Sequence, residues 1–236
     1  MRVLLGVSLA LVAALALPGR ANAQGGDYPT RIRPPGEPAR AQSESTGRTD
    51  EARRVMNAFA LCIARRNRRD VDHFLAQPMG APSGRGLAPR LASSDCLYNA
   101  DLRFASTLFR GSLFEAIYQI DYGRRGLPNL ATAPVISYGR VDAPDLSAEE
   151  RSHLALHDFA DCVVRVRPDE VRTLVLSRVA SREEGQALAG LNSALSGCLV
   201  VGAEVRFSRA VLRGFLAESL YRLTAAVSPP AALVRR

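Results

Sequence analysis

Two halves of the chain repeat one pattern of residues, and this internal repeat constrains the fold more than any other feature. The motif Phe-Ala-x-Cys at 59–62 returns 100 residues later at 159–162. The motif Arg-Gly-x-Leu-x-Glu-x-x-Tyr at 110–118 returns 103 residues later at 213–221. Because identities over this length rarely arise by chance, the pattern indicates a tandem duplication of one structural unit.

Each half is predicted to be helical. Apolar residues recur at intervals of three and four, the period of a helix with one buried face, and no sustained alternation typical of strands occurs. We predict an all-α fold of two tandem repeats with about four helices each, at 49–120 and 149–224, packed with pseudo-twofold symmetry through their last helices. The predicted buried faces of the two first helices comprise Met56, Phe59, Ala60 and Ile63, and Leu156, Phe159, Ala160 and Val163.

The four cysteines are expected to form two disulfides, since the count is even and the chain looks exported. Three connectivities are possible. Each half holds one cysteine in its first helix and one just before its last, so the duplication favours Cys62 with Cys96 and Cys162 with Cys198. Spacings of 34 and 36 residues fit neither a zinc cluster nor a Cys-x-x-Cys redox site, and no cofactor is predicted.

The N-terminus has the pattern of a signal peptide. Arg2 is followed by an apolar run over 3–17 and by Ala21-Asn22-Ala23, which predicts a signal peptide at 1–23, cleaved after Ala23. The alternative is an uncleaved anchor, but the run is shorter than the roughly 20 residues that span a bilayer. We expect a periplasmic or secreted product without a transmembrane anchor.

Three other segments lack a helical pattern. Residues 24–48 are rich in Pro, Gly, Ser, Gln and Arg, and predict a disordered leader. Residues 121–148 contain three prolines and several glycines, and predict an irregular connector between the repeats. Residues 225–236 contain Pro229-Pro230, and we predict that they form a frayed tail.

The charge of the chain says little about partners. The formal net charge is +8, and all 31 basic residues are arginines that are dispersed along the sequence. Nucleic-acid binding would favour clustered arginines with aromatic residues between them, and aromatics make up only 6% of the chain. We expect no nucleic-acid partner, and instead an envelope protein or an anionic surface of the cell envelope.

Both halves keep a glutamate inside an otherwise apolar last helix, Glu115 and Glu218. A glycine one turn earlier in each helix is unfavourable unless another backbone or a ligand comes close. We expect these helices to be central and each glutamate to be held by an arginine, such as Arg103 or Arg110, and by a tyrosine hydroxyl. The shared face comprises Arg103, Arg110, Gly111, Glu115, Tyr118, Arg206, Arg213, Gly214, Glu218 and Tyr221.

Two functional alternatives exist for this glutamate pair. Glu115 and Glu218 could be the acid and base of a cell-wall glycan hydrolase, which would require both to line one open cleft with their pKa values pushed apart. They could also line a ligand groove. Because two related environments do not obviously separate two pKa values, a buried structural pair is favoured.

A metal site at His153 and His157 is the remaining candidate. The two histidines lie one helical turn apart, a spacing that allows two imidazoles to bind one cation. They point away from the predicted apolar face, and the first half has no histidine at the matching positions. We therefore predict a solvated helix face and no metal site.

The two motifs together resemble small exported helical repeat proteins of Gram-negative bacteria, a group without an assigned activity. The resemblance covers residues 55–224 and implies export and a helical architecture but no mechanism. Our expectation is an exported, periplasmic, non-enzymatic interaction or envelope-associated module, with the glycan hydrolase as its alternative.

Overall fold

The computed structural model describes residues 31–33, 46–78, 91, 96, 105–139, 146–199, 204–206 and 208–230. Within these ranges the fold consists of eight α-helices, one 3₁₀ turn at Leu130–Thr132 and two short strands. The helices are α1 (Thr46–Arg66), α2 (Arg68–Ala76), α3 (Ser106–Tyr122), α4 (Ala148–Val166), α5 (Pro168–Leu176), α6 (Arg182–Gly190), α7 (Asn192–Gly197) and α8 (Arg209–Val227).

The helical fold class is confirmed, with one small addition. Strands β1 (Arg31–Arg33) and β2 (Glu204–Arg206) pair antiparallel, with Arg31 opposite Arg206. The predicted leader at 24–48 is therefore not wholly irregular, since it supplies β1 and the first three residues of α1. A strand of three residues is too short to produce a recognisable alternation in the sequence.

Local sequence explains where several helices begin. Ser147 and Glu150 form a reciprocal capping box at the start of α4, with the Ser147 amide donating to the Glu150 carboxylate at 2.8 Å. Pro168 occupies the first turn of α5, where its missing amide proton has no partner to lose. Ser181 and Ser208 cap α6 and α8 by accepting hydrogen bonds at their hydroxyls.

Helices α3 and α8 form the centre of the molecule. α1 and α2 pack against α3, while α4 and α5 pack against α8, and α6 packs on α5. The predicted apolar faces of α1 and α4 are confirmed, because all eight of their side chains are at most 8% exposed. Burial of these apolar faces is the main stabilising contribution to such a helical core.

The close approach predicted at the two glycines of the repeated motif, Gly111 and Gly214, is confirmed at the crossing of α3 and α8. A Cβ atom built on Gly111 would lie 2.6 Å from the Gly214 Cα atom, and one built on Gly214 would lie 2.9 Å from the Gly111 Cα atom. Both distances are far below van der Waals contact. Glycine at both positions lets the two backbones touch.

We predict that Gly214→Ala lowers the free energy of unfolding by about 1 to 3 kcal/mol, because the new methyl group meets the α3 backbone. The control is Gly185→Ala in α6, where a Cβ atom would meet nothing within 4 Å. That variant should gain up to about 1 kcal/mol from helix propensity. Chemical denaturation measures both, and equal changes in the two variants would contradict the placement of the crossing.

Two disulfides, Cys62–Cys96 and Cys162–Cys198, staple the structure as the duplication favoured. Each joins the first long helix of its half to a point preceding the last helix. Helix α8 continues to Val227, into the first residues of the predicted tail at 225–236, and the Tyr122 hydroxyl donates to the Ser228 carbonyl at 2.9 Å.

Some predicted segments fall outside the described residues. These include the signal peptide at 1–23 and the last part of the tail, 231–236. In the part of the chain that is described, no helix combines the length and the apolar character needed to cross a membrane.

Candidate functional site

Four buried charged side chains lie where α3 and α8 cross. Arg110 and Glu115 belong to α3 and are 5% and 4% exposed, while Arg213 and Glu218 belong to α8 and are 1% and 2% exposed. Burying a charge is strongly unfavourable unless it is paired and fully hydrogen-bonded. Here each arginine meets that need by contacting the glutamate of the other helix.

Glu218 receives two guanidinium groups. Arg110 donates from Nη2 to Oε1 at 2.9 Å and from Nε to Oε2 at 3.1 Å. Arg222, one turn further along α8, donates from Nε and Nη2 to Oε1 at 2.9 and 2.8 Å. Arg110 is thus confirmed as a glutamate partner, but across the crossing and not within its own helix. Arg103, the other predicted partner, lies outside the described residues.

Glu115 shares its surroundings with a second carboxylate. Its Oε2 accepts from Arg213 Nε at 2.8 Å and from Asn57 Nδ2 at 3.1 Å. Arg213 Nη1 also donates to Glu184 Oε1 at 3.2 Å, and Arg53 forms an ion pair with the same oxygen. Two arginines therefore face three carboxylates on this side of the crossing, because Arg53 also pairs with Asp50 at 3.1 Å.

Arg110 and Arg213 are also anchored to backbone carbonyls at the ends of short helices, α2 and α5 respectively. Such carbonyls have no partner within their own helix, so a guanidinium satisfies them well. The bonds run from Arg110 to Leu75 O (2.9 Å) and Gln77 O (3.0 Å), and from Arg213 to Val175 O (3.1 Å) and Ser177 O (2.8 Å).

The prediction that tyrosine hydroxyls hold the glutamates is wrong for the contacts described here. Tyr221 donates to Asp121 Oδ2 at 3.1 Å and accepts from Arg68 Nη2 at 3.2 Å. Tyr118 is fully buried and packs its ring against Tyr122, with centroids 5.5 Å apart. Both tyrosines lie further along the crossing helices than the glutamates. The Tyr221 hydroxyl contacts Asp121 there, and the Tyr118 hydroxyl contacts neither glutamate in the described structure.

The surroundings push the pKa values of the two glutamates in opposite directions. Burial raises the pKa of Glu115, and Arg213, whose charge is shared with a second carboxylate, only partly offsets it. Burial also acts to raise the pKa of Glu218, but Arg110 and Arg222 outweigh burial, so this pKa lies below the ordinary value. Glu218 is therefore ionised at neutral pH.

A cavity of about 420 Å³ lies beside Glu218, between the end of α2, the connector and the first half of α4. The space beside Glu115 is only about 10 Å³, and Glu115 does not line the larger cavity. Since the two glutamates face different spaces in the described structure, the geometry does not meet the requirement of an acid and base pair in one cleft. The charged, aromatic and imidazole side chains that line the larger cavity are Arg110, Tyr138, Glu150, His153, His157, Glu218 and Arg222.

The prediction of a solvated histidine face is wrong for His157. Its side chain is 4% exposed, stacks on the Tyr138 ring at 4.1 Å and meets the Phe215 ring edge-on at 4.8 Å. The connector and α8 cover a second face of α4, which the periodicity of α4 alone does not reveal. The Nδ1 atom of His157 is buried without a hydrogen-bond partner in the described structure. His153, the other candidate, is partly exposed and lines the same cavity.

We predict that His157 makes the protein less stable in acid. Burial lowers the pKa of His157 from 6.5 to about 4, against a smaller opposing effect of Glu218. The histidine of the unfolded chain therefore becomes protonated below pH 6.5, whereas the buried histidine of the folded chain becomes protonated only near pH 4. Stability should fall by about 3 kcal/mol as the pH drops through this window.

The measurement is the free energy of unfolding between pH 7 and pH 4 for the wild type and for His157→Asn. Asparagine is the residue at the matching position of the first half, Asn57, so it is a suitable replacement. The exposed His73→Asn on α2 is the control. An unchanged pH dependence in His157→Asn would show that the histidine is not buried as described.

Several residues of this site were not predicted from the sequence, among them Arg222, Glu184 and Tyr138. Arg222 follows Glu218 by four residues, a helical spacing that predicts an ion pair and could have revealed it. Glu184 follows Ser181 at the spacing of a helix cap, but its contacts with two arginines depend on the packing of α6. Tyr138 lies in the irregular connector, where no periodic signal predicts its stacking on α4.

No group of three or more histidine, cysteine, aspartate or glutamate side chains in the described ranges is arranged to hold a metal ion. Comparison with protein-family models, with curated proteins and with solved structures finds no match for this chain.

Proposed function

We propose that the chain is an exported, non-enzymatic binding module that holds a small molecule in the cavity beside Glu218. The cavity itself carries the proposal. Its volume of about 420 Å³ lies in the usual range of ligand sites, and aromatic, cationic and imidazole groups converge on it. A buried imidazole nitrogen that lacks a partner in the described structure, His157 Nδ1, offers a ligand a hydrogen bond.

Export is supported by the two disulfides, which persist in oxidising compartments such as the periplasm. The proposed product begins after cleavage at Ala23 and acts in the periplasm or outside the cell. A small molecule of the envelope is a better partner for a concave, half-open cavity than the envelope protein or anionic surface expected from the sequence.

We further propose that the two halves arose by duplication and are related by a pseudo-twofold axis at the crossing of α3 and α8. This is supported by the reciprocal glycine contact and by the matching arginine bonds, whose carbonyl partners are 100 residues apart. In this proposal the shared glutamates are structural, and the features that distinguish the two halves carry the function.

The test is retention of small molecules from an extract of a Gram-negative periplasm. The mature protein is incubated with the extract, separated by gel filtration and denatured, and the released compounds are identified by mass spectrometry. Ser137→Trp fills the cavity from its exposed lining, and Val135→Trp is the matched control on the exposed connector.

We expect at least one compound to be retained by the wild type and Val135→Trp and lost from Ser137→Trp. Equal retention by all three proteins would place binding elsewhere. Retention by none would overturn the proposed function.

A further inference from the structure

We infer that residues 133–139 of the connector, here called the cover segment, form a hinged cover that widens the mouth of the cavity beside Glu218 by opening locally while the helices stay folded. This inference rests on the proposed function and adds how a ligand enters the cavity. It comes from the way in which the cover segment is attached to α4 and α8, through side chains at two points.

One attachment lies at the C-terminal end of α4. Arg165 donates from Nη1 to the Ala133 carbonyl at 3.0 Å and from Nη2 to the Pro134 carbonyl at 2.8 Å. Asp161, one turn earlier, accepts from Arg165 Nε at 2.8 Å and thereby orients the guanidinium group. The Arg165 side chain is 26% exposed, and hydrogen bonds that water can reach open more readily than buried ones.

The other attachment is Tyr138, which forms part of the cavity wall. Its ring stacks on the His157 ring, with centroids 4.1 Å apart and planes 6° apart, and the Arg222 guanidinium group lies 5.5 Å from the same ring. The hydroxyl groups of Tyr138 and Ser219 are 3.3 Å apart. Because Tyr138 lines the cavity together with its neighbours Ser137 and Gly139, movement of this stretch changes the width of the mouth.

The cover segment has little slack between its two attachments. His157 and Arg165 are eight residues apart on α4, which corresponds to about 12 Å along the helix axis. Tyr138 follows Pro134 by four residues, and a stretch of that length reaches about 13 Å when it is fully extended. Since the segment must be nearly straight to make both attachments, loosening one of them also weakens the other.

Apart from these attachments, the cover segment is weakly held. Within the described residues, the backbone of 134–139 forms no hydrogen bond with another backbone group. Val135 is 89% exposed, and Gly139 has a φ of +136°, a conformation that glycine adopts readily and that suits a hinge. Segments with few buried contacts open at a small cost in free energy while the rest of the protein stays folded.

The matching positions of the first half are used differently. Arg65, which matches Arg165, is exposed, and Asn57, which matches His157, donates to Glu115. The space beside Glu115 is about 10 Å³, against about 420 Å³ beside Glu218. The two attachments and the larger cavity therefore occur on the same side of the crossing, as expected if the cover segment serves the cavity.

The test is thiol labelling of the mature, oxidised protein, in which all four cysteines are paired in disulfides. Ser219→Cys places one thiol beside Tyr138, at a position that is 0% exposed. Val163→Cys, also 0% exposed but on the core face of α4, is the control for global unfolding. We expect dithionitrobenzoate to modify Ser219→Cys at least about tenfold faster than Val163→Cys, because local opening is more frequent than global unfolding.

Weakening the Arg165 attachment should speed this labelling. Arg165→Gln added to Ser219→Cys should raise the rate about tenfold, because it removes both charge-assisted bonds to the connector. The same change added to Val163→Cys should leave its rate nearly unchanged. Arg167→Gln is the matched control, since the Arg167 side chain is 41% exposed and pairs with Glu170, and it should change neither rate.

Equal labelling of Ser219→Cys and Val163→Cys would show that the cover segment moves only when the whole protein unfolds, and would overturn the inference. An unchanged rate on adding Arg165→Gln would overturn it as well. Neither result bears on retention of compounds from the periplasmic extract, which tests the proposed function separately. If the labelling is as expected but no compound is retained, the proposed function fails, and the role of the cover segment in ligand entry fails with it.

Should Ser219→Cys not fold, chymotrypsin cleavage after Tyr138 provides the second measurement. The Tyr138 ring must leave His157 to enter the protease, so the rate of this cut follows the opening of the cover segment. Mass spectrometry of the fragments should show the cut about tenfold faster in Arg165→Gln than in the wild type or Arg167→Gln. Equal rates in the three proteins would overturn the inference.

Discussion

Replacing Arg213 with methionine should lower the free energy of unfolding by about 3 to 5 kcal/mol, because breaking a buried ion pair leaves its partners uncompensated. Arg213 is 1% exposed, and its guanidinium group binds Glu115, Glu184 and the end of α5. Without it, Glu115 and Glu184 are left beside Arg53, which already pairs with Asp50. Urea denaturation of the oxidised protein at pH 7 measures the effect.

Two other arginines sharpen this test. Arg110→Met should cost less than Arg213→Met, because Glu218 keeps its ion pair with Arg222. Arg209→Met, on the exposed start of the same helix as Arg213, should change stability by less than about 0.5 kcal/mol. If Arg209→Met and Arg213→Met lowered the free energy of unfolding by equally small amounts, the description of Arg213 as a buried side chain paired with two carboxylates would be wrong.

Removing either disulfide should lower the free energy of unfolding by about 3 to 4 kcal/mol, because each bond restricts a long loop in the unfolded chain. The loops are alike, because Cys62 and Cys96 are 34 positions apart in the sequence and Cys162 and Cys198 are 36 positions apart. Paired replacement by alanine, one disulfide at a time, should therefore give similar losses in urea denaturation.

The control for the disulfide variants is their peptide map without reducing agent. Each variant should retain the other disulfide unchanged and show no free thiol. A bond joining the two halves in the wild type, or a loss below about 1 kcal/mol for both variants, would contradict the staples as described.

Much of the scaffold follows from patterns that survive in a single sequence. The spacing of Phe59, Ala60 and Ile63 indicates a buried helix face. Gly111 and Gly214 indicate a close helix crossing, because a glycine in the middle of a helix lowers its stability and is expected where a neighbouring backbone leaves no room for a side chain. The cysteine pairs follow from their equal positions in the two halves. These features depend on local periodicity or on repetition, both of which are visible without the structure.

The candidate site was harder to predict, because it depends on which faces meet. The spacing within α3 shows that Arg110 cannot reach Glu115, but it does not show that Glu218 lies opposite. The burial of His157 depends on Tyr138, which an irregular connector brings across α4. The larger cavity lies on one side of the crossing, whereas the repeated motifs direct attention to the positions that the two stretches of sequence share.

The ion pairs across the crossing make the stability of each half of the chain depend on the other. Arg110 is fixed to the carbonyls of α2 in the first half and neutralised by Glu218 in the second, and Arg213 does the reverse. In either half expressed alone, the central arginine would lose its carboxylate partner, so the halves should melt in one cooperative transition. Under the proposed duplication, a single unit would have to pair with a second copy of itself to bury the same charges.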